Sequence, residues 1–374
     1  MTAKNWCCVL LSSAAIAIVI PEKASVASYA PCGYPYYRDA DEIIEPTKKA
    51  EAYYLAANDC YRSAQRDFRR ISSKDRYASG AMKYYTKAIA LNPGIAKTYL
   101  SYIHLGEIHR ENEDYSQSLK NYGLAIALVS NLPRAYNGRA RTYALMKQND
   151  LALADYVKAI GVDANAASFL GRGNVYLSLN QKSKAIADYT KAIAIKPNFA
   201  DAYIVRGNTY RSLKYDRKAI ADYSQAITSL KNAIASYSNN NYTSRLGIGL
   251  GDKLAKVYLQ RAELHRQAAN YQQAVRDYQE SDFLNPLPAK FYPNRAEAYR
   301  QTKQYQKALN EYVKIIFITQ PRERAEAYLG MGYAYRGLQQ RDLALDNFKR
   351  AAYLFEWQGN TAKYQTAIEE MTKL

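Results

Sequence analysis

Acid–base or metal chemistry in this chain would have to use its three histidines, His104, His109 and His265. They do not form a pair with metal-ligand spacing, and no glycine-rich phosphate loop or serine elbow accompanies them. Gly171-Arg172-Gly173 is punctuation inside a repeat. The sequence therefore offers no catalytic residues, no metal site and no cofactor site, and an enzyme is not expected. Ion-pair chemistry is better represented. Arg139, Arg172, Arg206, Arg261 and Arg295 are each followed sixteen residues later by an acid: Asp155, Asp188, Asp222, Asp277 and Glu311. Where the arginine is replaced, by Leu105 or Met331, the acid is replaced too, by Asn121 or Asn347. Charge at one position only where opposite charge stands at the other predicts two-point guanidinium–carboxylate contacts joining two helices, a structural rather than a ligand-binding use.

The elements that must position these pairs are given by a returning phrase, as in Ile186-Ala-Asp-Tyr-Thr-Lys-Ala-Ile193 and Ile220-Ala-Asp-Tyr-Ser-Gln-Ala-Ile227. Its ring residue recurs at Tyr85, Tyr122, Tyr156, Tyr189, Tyr223, Tyr278, Tyr312 and Phe348, with small residues four before it, such as Ala185 and Ala219. Twenty and thirteen residues upstream of each mark from the second onward stand further rings, as in Tyr203 and Tyr210, with Gly207 between them. His109 and His265 occupy such ring positions, so packing explains them. A fixed period of this size means stacked helical hairpins, in which small residues permit close approach and rings fill the space between. Pro93, Pro197 and Pro286 stop the second helix of their hairpins.

On these residues the stretch 47–357 resembles the tetratricopeptide repeat family, and the C-terminal tail resembles those of its bacterial, especially cyanobacterial, members. The resemblance implies an all-α chain, an α-solenoid superhelix of about eight antiparallel helix pairs. Residues 358–374, with a Gly359-Asn360-Thr361 restart, read as a C-terminal capping helix. The first hairpin is irregular, with Tyr54 and Tyr61 as its two rings and Asn58 at the small position. A 21-residue excess before Tyr278 is expected as a polar, glycine-rich loop over about 236–251.

The resemblance further implies that the first helices line a concave groove where partners bind. Their groove face reads as three strips by helical spacing. The first is apolar (Leu170, Ile204, Leu259), the second mixed (Asn174, Asn208, Glu263, Glu297), and the third rich in arginine (Arg211, Arg266, Arg300, Arg336). Such a face suits an extended protein or peptide partner with aliphatic and acidic groups. The alternative for Glu263 with Arg266 and Glu297 with Arg300 is a pair of weak surface contacts within one helix. Leu170 and Ile204 stand where the family's chaperone-tail clamp needs lysine, so that ligand is not expected. The function implied is a non-catalytic protein–protein interaction scaffold. The alternative is a spacer subunit of a larger envelope or thylakoid complex that uses its outer face.

The 52 Lys and Arg against 34 Asp and Glu give a net charge of +18, and 37 tyrosines stand against 2 tryptophans. The basic excess attracts anionic surfaces, but it is spread thinly and no nucleic-acid box accompanies it, so nucleic acid is not expected as a partner. Residues 1–27, with Lys4 before the apolar stretch Trp6–Ile20, read as a secretory signal cleaved after Ala27, and 28–46 as an arm. The localisation expected is periplasm or thylakoid lumen. The alternative is a membrane anchor at residues 6–20, and membrane association is expected only if that segment stays uncleaved. Processing leaves Cys32 and Cys60, which either bridge the arm to the first hairpin or remain free thiols.

Overall fold

The computed structural model describes residues 41, 43–66, 71–92, 94–238 and 246–374. The signal at 1–27, most of the arm, Cys32 and Pro93 lie outside the described residues. Regular structure among the described residues is helical, with seventeen α-helices and two single 3₁₀ turns. The chain divides into two units, residues 1–93 and 94–374.

The first unit is one hairpin, α1 (Pro46–Arg66) and α2 (Ile71–Ala90). Tyr85 is fully buried and its hydroxyl donates to Asn58 Oδ1 at 2.8 Å. This bond corrects the register expected from sequence by one residue. Asn58 takes the polar position that receives the ring hydroxyl, Ala57 is the small residue, and Tyr53 and Cys60 fill the ring positions, all three buried. Tyr54 and Tyr61 are displaced from those positions because a one-residue slip on a helix rotates every side chain by about 100°. Asp41, ahead of α1, accepts from the Tyr53 hydroxyl and from Lys87 Nζ at 3.1 Å, which ties the entering chain to the hairpin.

The second unit holds seven hairpins. They are α3 (Ile95–Glu111) with α4 (Tyr115–Leu128), α5 (Pro133–Leu145) with α6 (Asn149–Val162), α7 (Ala166–Ser178) with α8 (Lys182–Ile195), and α9 (Ala200–Ser212) with α10 (Asp216–Ser238). Then follow α11 (Leu246–Gln267) with α12 (Tyr271–Leu284), α13 (Tyr292–Gln301) with α14 (Tyr305–Ile318), and α15 (Ala325–Gly337) with α16 (Arg341–Trp357). Each helix packs on the next along the chain, and first helices also touch first helices of the adjacent hairpin, as α3 on α5 and α13 on α15. This is the packing of an α-solenoid, crowded on its first-helix side. The final helix, α17 (Thr361–Thr372), is capped by Asn360, whose side chain accepts from the Lys363 amide at 3.2 Å. It buries Ala367 against the last hairpin, as an open array end requires.

The mark rings are the centre of each hairpin: Tyr122, Tyr189, Tyr223, Tyr278 and Phe348 are fully buried. A Cβ on Gly106 would stand 2.9 Å from the Tyr122 ring, and one on Gly138 of the next first helix would collide with the same ring. Glycine is thus required on both sides of that ring. The turns within the hairpins repeat a single geometry. Nine residues before each mark a non-glycine residue adopts a left-handed conformation: Glu113, Lys147, Asn180, Lys214, Ala269, Lys303 and Gln339. The next amide then donates to the carbonyl of the upstream ring position, as Gln148 to Tyr143 at 2.9 Å and Tyr215 to Tyr210 at 2.9 Å. This closes the helix end in the Schellman manner without its usual glycine.

All five expected ion pairs form across the hairpins. Arg139 Nε–Asp155, Arg172 Nε–Asp188 and Arg261 Nε–Asp277 are each 2.7 Å, with second contacts of 2.7–2.8 Å, and Arg206 binds Asp222 in the same two-point way. Arg295 meets Glu311 at 2.8 Å and Asp282 at 2.7 Å. In the hairpins without arginine, Asn121 and Asn347 donate instead to carbonyls four residues back in their own helix, Gln117 and Leu343, each at 2.8 Å. Each guanidinium also lies over the ring three residues before it, for example Arg206 over Tyr203 at 5.7 Å, a cation–π contact added to the ion pair.

The loop expected over 236–251 is helical at both ends. Helix α10 continues to Ser238 and α11 begins at Leu246, so most of the excess lengthens two helices. Leu230 and Leu254 are buried between them, with Ile234 and Leu250 half-buried alongside. Apolar residues three to four apart on both helices give the extensions a face to bury, and that burial outweighs the helix-weakening glycines Gly247, Gly249 and Gly251.

Candidate partner-binding face

On the first-helix side each mark ring passes between the helices and delivers its hydroxyl to the groove face. Tyr189 donates to Asn174 Oδ1 at 2.9 Å and Tyr223 to Asn208 Oδ1 at 2.7 Å. Tyr278 donates to Glu263, and the Tyr122 hydroxyl accepts from Arg110 at 2.7 Å. Burial pushes the Tyr156 and Tyr223 hydroxyls up to about 12, with Arg141 and Arg211 respectively opposing it. Where the mark is Phe348 and has no hydroxyl, Tyr333 of the first helix supplies one, its ring edge-on to Phe348 at 5.4 Å. The mixed strip is therefore in part the receiving end of the core tyrosines. The side-chain oxygens of Asn174 and Asn208 are thus taken up by the Tyr189 and Tyr223 hydroxyls.

The apolar strip is partly absorbed by the core. Leu170, Ile204 and Leu259 are half-buried and packed on the clusters around Phe169, Tyr223 and Tyr278. The arginine strip divides. Arg266 donates to Glu297 of the next first helix at 2.9 Å, with Glu263 farther away at 3.7 Å. Arg336 pairs with Glu370 of α17. Arg300 and Arg336 lie over the Tyr333 ring at 4.9 and 5.3 Å. The alternative of a Glu297–Arg300 pair within one helix gives way to a bond between hairpins, since the side chain of Arg266 reaches Glu297 on the next first helix. Glu107 likewise binds Arg134 of the next hairpin at 3.0 Å.

Arg211 differs from these. Among the described residues no carboxylate pairs with it. It lines an open depression of about 390 Å³ with Asn208, Ser212, Lys214, Asp216 and Gln267. Of the sequence-derived candidates only Asn208 and Arg211 meet there, while Leu170, Asn174, Ile204, Leu259, Arg266, Arg300 and Arg336 do not line it. Ser212, Lys214, Asp216 and Gln267 are not among the residues expected from sequence. Lys214 is the left-handed turn residue, and its place beside Arg211 follows from that turn. Cys60 is buried and disulfide-bonded, and its candidate partner Cys32 lies outside the described residues.

Other chemistry is sparse. Burial holds the His265 imidazole below its ordinary range, and His109 Nδ1 stands 3.3 Å from Asp114. Among the described residues no group of His, Cys, Asp and Glu is placed to hold a metal ion, and no helix is long and apolar enough to cross a membrane.

Family models described as tetratricopeptide repeat match residues 133–165 and 200–229, and one described as TPR repeat matches 173–214. None of the curated proteins matches the chain in sequence. Among solved structures, the C-terminal part of a TPR repeat-containing protein from Cytophaga hutchinsonii is 20% identical with a TM-score of 0.47, covering 72% of this chain and 99% of that one. A tetratricopeptide repeat protein from Parabacteroides merdae is 17% identical with a TM-score of 0.40, covering 73% and 99%. YrrB, described as a TPR protein with an unusual peptide-binding site, is 17% identical with a TM-score of 0.45, covering 57% and 97%. The chain carries tetratricopeptide repeats, stacked as an α-solenoid of the kind that generally serves as a protein-interaction scaffold.

Proposed function

We propose that this chain is a non-catalytic scaffold that holds an extended, acidic and aliphatic segment of a protein partner on its first-helix face, centred on α9. The observation that supports this reading is Arg211. Among the described residues it forms no ion pair with a carboxylate, and it is set in an open depression with Lys214, the Asn208 amide, the Gln267 side chain and Asp216. A carboxylate from the partner satisfies Arg211 by two-point contact, and the half-buried Ile204 two helical turns away takes an aliphatic side chain. The test is binding of a library of acidic, leucine-containing peptides to the chain and to its Arg211→Glu, Arg266→Glu double variant. A groove receptor loses at least tenfold in affinity. Unchanged binding assigns the partner to the outer face, as a spacer subunit requires.

The same proposal places the protein outside the cytoplasm, in a periplasm or thylakoid lumen, on the strength of the Trp6–Ile20 stretch and the disulfide at Cys60. A mature N-terminus at Ser28 supports it, and an intact Met1 on the isolated protein opposes it. Cys32 is the expected partner of Cys60, and a count of two thiols on the unfolded, unreduced chain processed at Ser28 would rule the bridge out.

A further inference from the structure

Five residues after the mark, the second helices of the last three hairpins carry Phe283, Phe317 and Tyr353, which are 89%, 82% and 68% exposed. The same position in the four preceding hairpins is Ala127, Gly161, Ala194 and Thr228, so the repeat itself does not require a ring there. Ile318 and Trp357 are more than half exposed on the same helices. Aromatic surface of this extent is unusual on a solvated face and marks a contact. The rings stand one per hairpin as separate projections, a shape that suits a deformable partner better than a rigid one.

Charge selects among partners. A chain of +18 repels a second copy of itself and is drawn to anionic surfaces. A cation borders the last of the rings: the Arg322 guanidinium lies over the Trp357 ring at 4.2 Å. Several acids on these helices are already neutralised from within, Asp277 by Arg261, Asp282 and Glu311 by Arg295, and Asp346 by Arg350. Aromatic side chains favour the headgroup level of a bilayer, and Lys and Arg near it are attracted by anionic lipid.

We propose that the ladder of Phe283, Phe317 and Tyr353, with Trp357 at its end, docks the array onto an anionic lipid surface through its second helices. The first-helix face is left open to its partner in that arrangement. The docking does not depend on residues 6–20.

Trp357 is one of two tryptophans, so the full chain with Trp6→Phe reports on this site alone. Mixed with vesicles containing anionic phosphatidylglycerol, its emission shifts to the blue and is quenched by lipids brominated on the acyl chain. Neutral phosphatidylcholine vesicles give at least tenfold weaker response, and 0.5 M salt weakens it further. Phe283→Ser with Phe317→Ser lowers the partition into anionic vesicles at least tenfold while the melting temperature stays unchanged, because both rings are solvent-facing. Three outcomes overturn the proposal: Trp357 emission indifferent to vesicles of either composition, partition unchanged in the double variant, or a dimer in solution that the double variant converts to monomer.

Discussion

The groove face around α9 and the groove face of α11, α13 and α15 share one set of positions and one residue type, yet differ in what a ligand would meet. Arg266 and Arg336 are satisfied by Glu297 and Glu370, and Arg300 is laid on Tyr333, whereas Arg211 shares its depression with Asp216 but forms no ion pair among the described residues. An arginine at a conventional groove position is therefore informative only together with the residue one hairpin further on. What neutralises Arg266 is the acid on α13. After Arg211, the corresponding first helix carries Glu263, which is instead held by Tyr278, Asn294 and Arg266.

Both regions rest on the same scaffold, and perturbing it should cost them alike. The largest loss is expected from Arg172→Leu, which strands the buried Asp188 carboxylate and should cost about 3 kcal/mol. Adding Asp188→Asn should recover a good part of that in thermal melts, and equal losses for the single and double variants would argue against the pairing. Gly138→Ala and Gly330→Ala press a methyl into the Tyr122 and Tyr312 rings and should each cost roughly 2 kcal/mol by urea denaturation. A clear inequality would show that the two halves do not pack equivalently.

Removing one hydroxyl from each region sharpens the contrast. Tyr278→Phe takes a donor from the buried Glu263 carboxylate and should cost about 2 kcal/mol, while Tyr223→Phe takes one from the neutral Asn208 amide and should cost about 1 kcal/mol. Equal losses in denaturant titrations would mean that Glu263 is carried by Asn294 and Arg266 alone. The smallest effect is a gain. Ala269→Gly relieves a left-handed alanine in the α11–α12 turn and should stabilise by about 1 kcal/mol, whereas Asn180→Gly, from a residue that tolerates the conformation, should be nearly neutral.

The hairpin rhythm was legible because one ring type and its small neighbours recur in every copy, and the Arg–Asp pairs because two positions changed together within one chain. The first hairpin was misread by one residue. Tyr53 and Tyr54 both offer a ring, and only the bond from Tyr85 to Asn58 decides between them. The turn geometry was hidden because glutamate, lysine, asparagine, alanine and glutamine stand where glycine would have announced it. The extension of α10 and α11 was masked by its glycines, although the spacing of Leu230 with Ile234 and of Leu250 with Leu254 carried the helical signal. The fate of the groove arginines could not be read from their own helices, since their partners belong to the neighbouring hairpin.

The third nitrogen of the ion-pairing arginines carries one more consequence. Arg206 reaches back to Thr190 at 3.0 Å, Arg261 to Ser224 at 2.8 Å and Arg295 to Asp282 at 2.7 Å, each on the hairpin before its own. At the place of Thr190 and Ser224, the hairpins preceding Arg172 and Arg139 offer Val157 and Gly123, which have no side-chain oxygen to receive such a bond. By this bond the α8–α9, α10–α11 and α12–α13 seams are joined, while the α4–α5 and α6–α7 seams lack it. Under a pulling force, the α8–α9, α10–α11 and α12–α13 seams have this extra bond to break before they open.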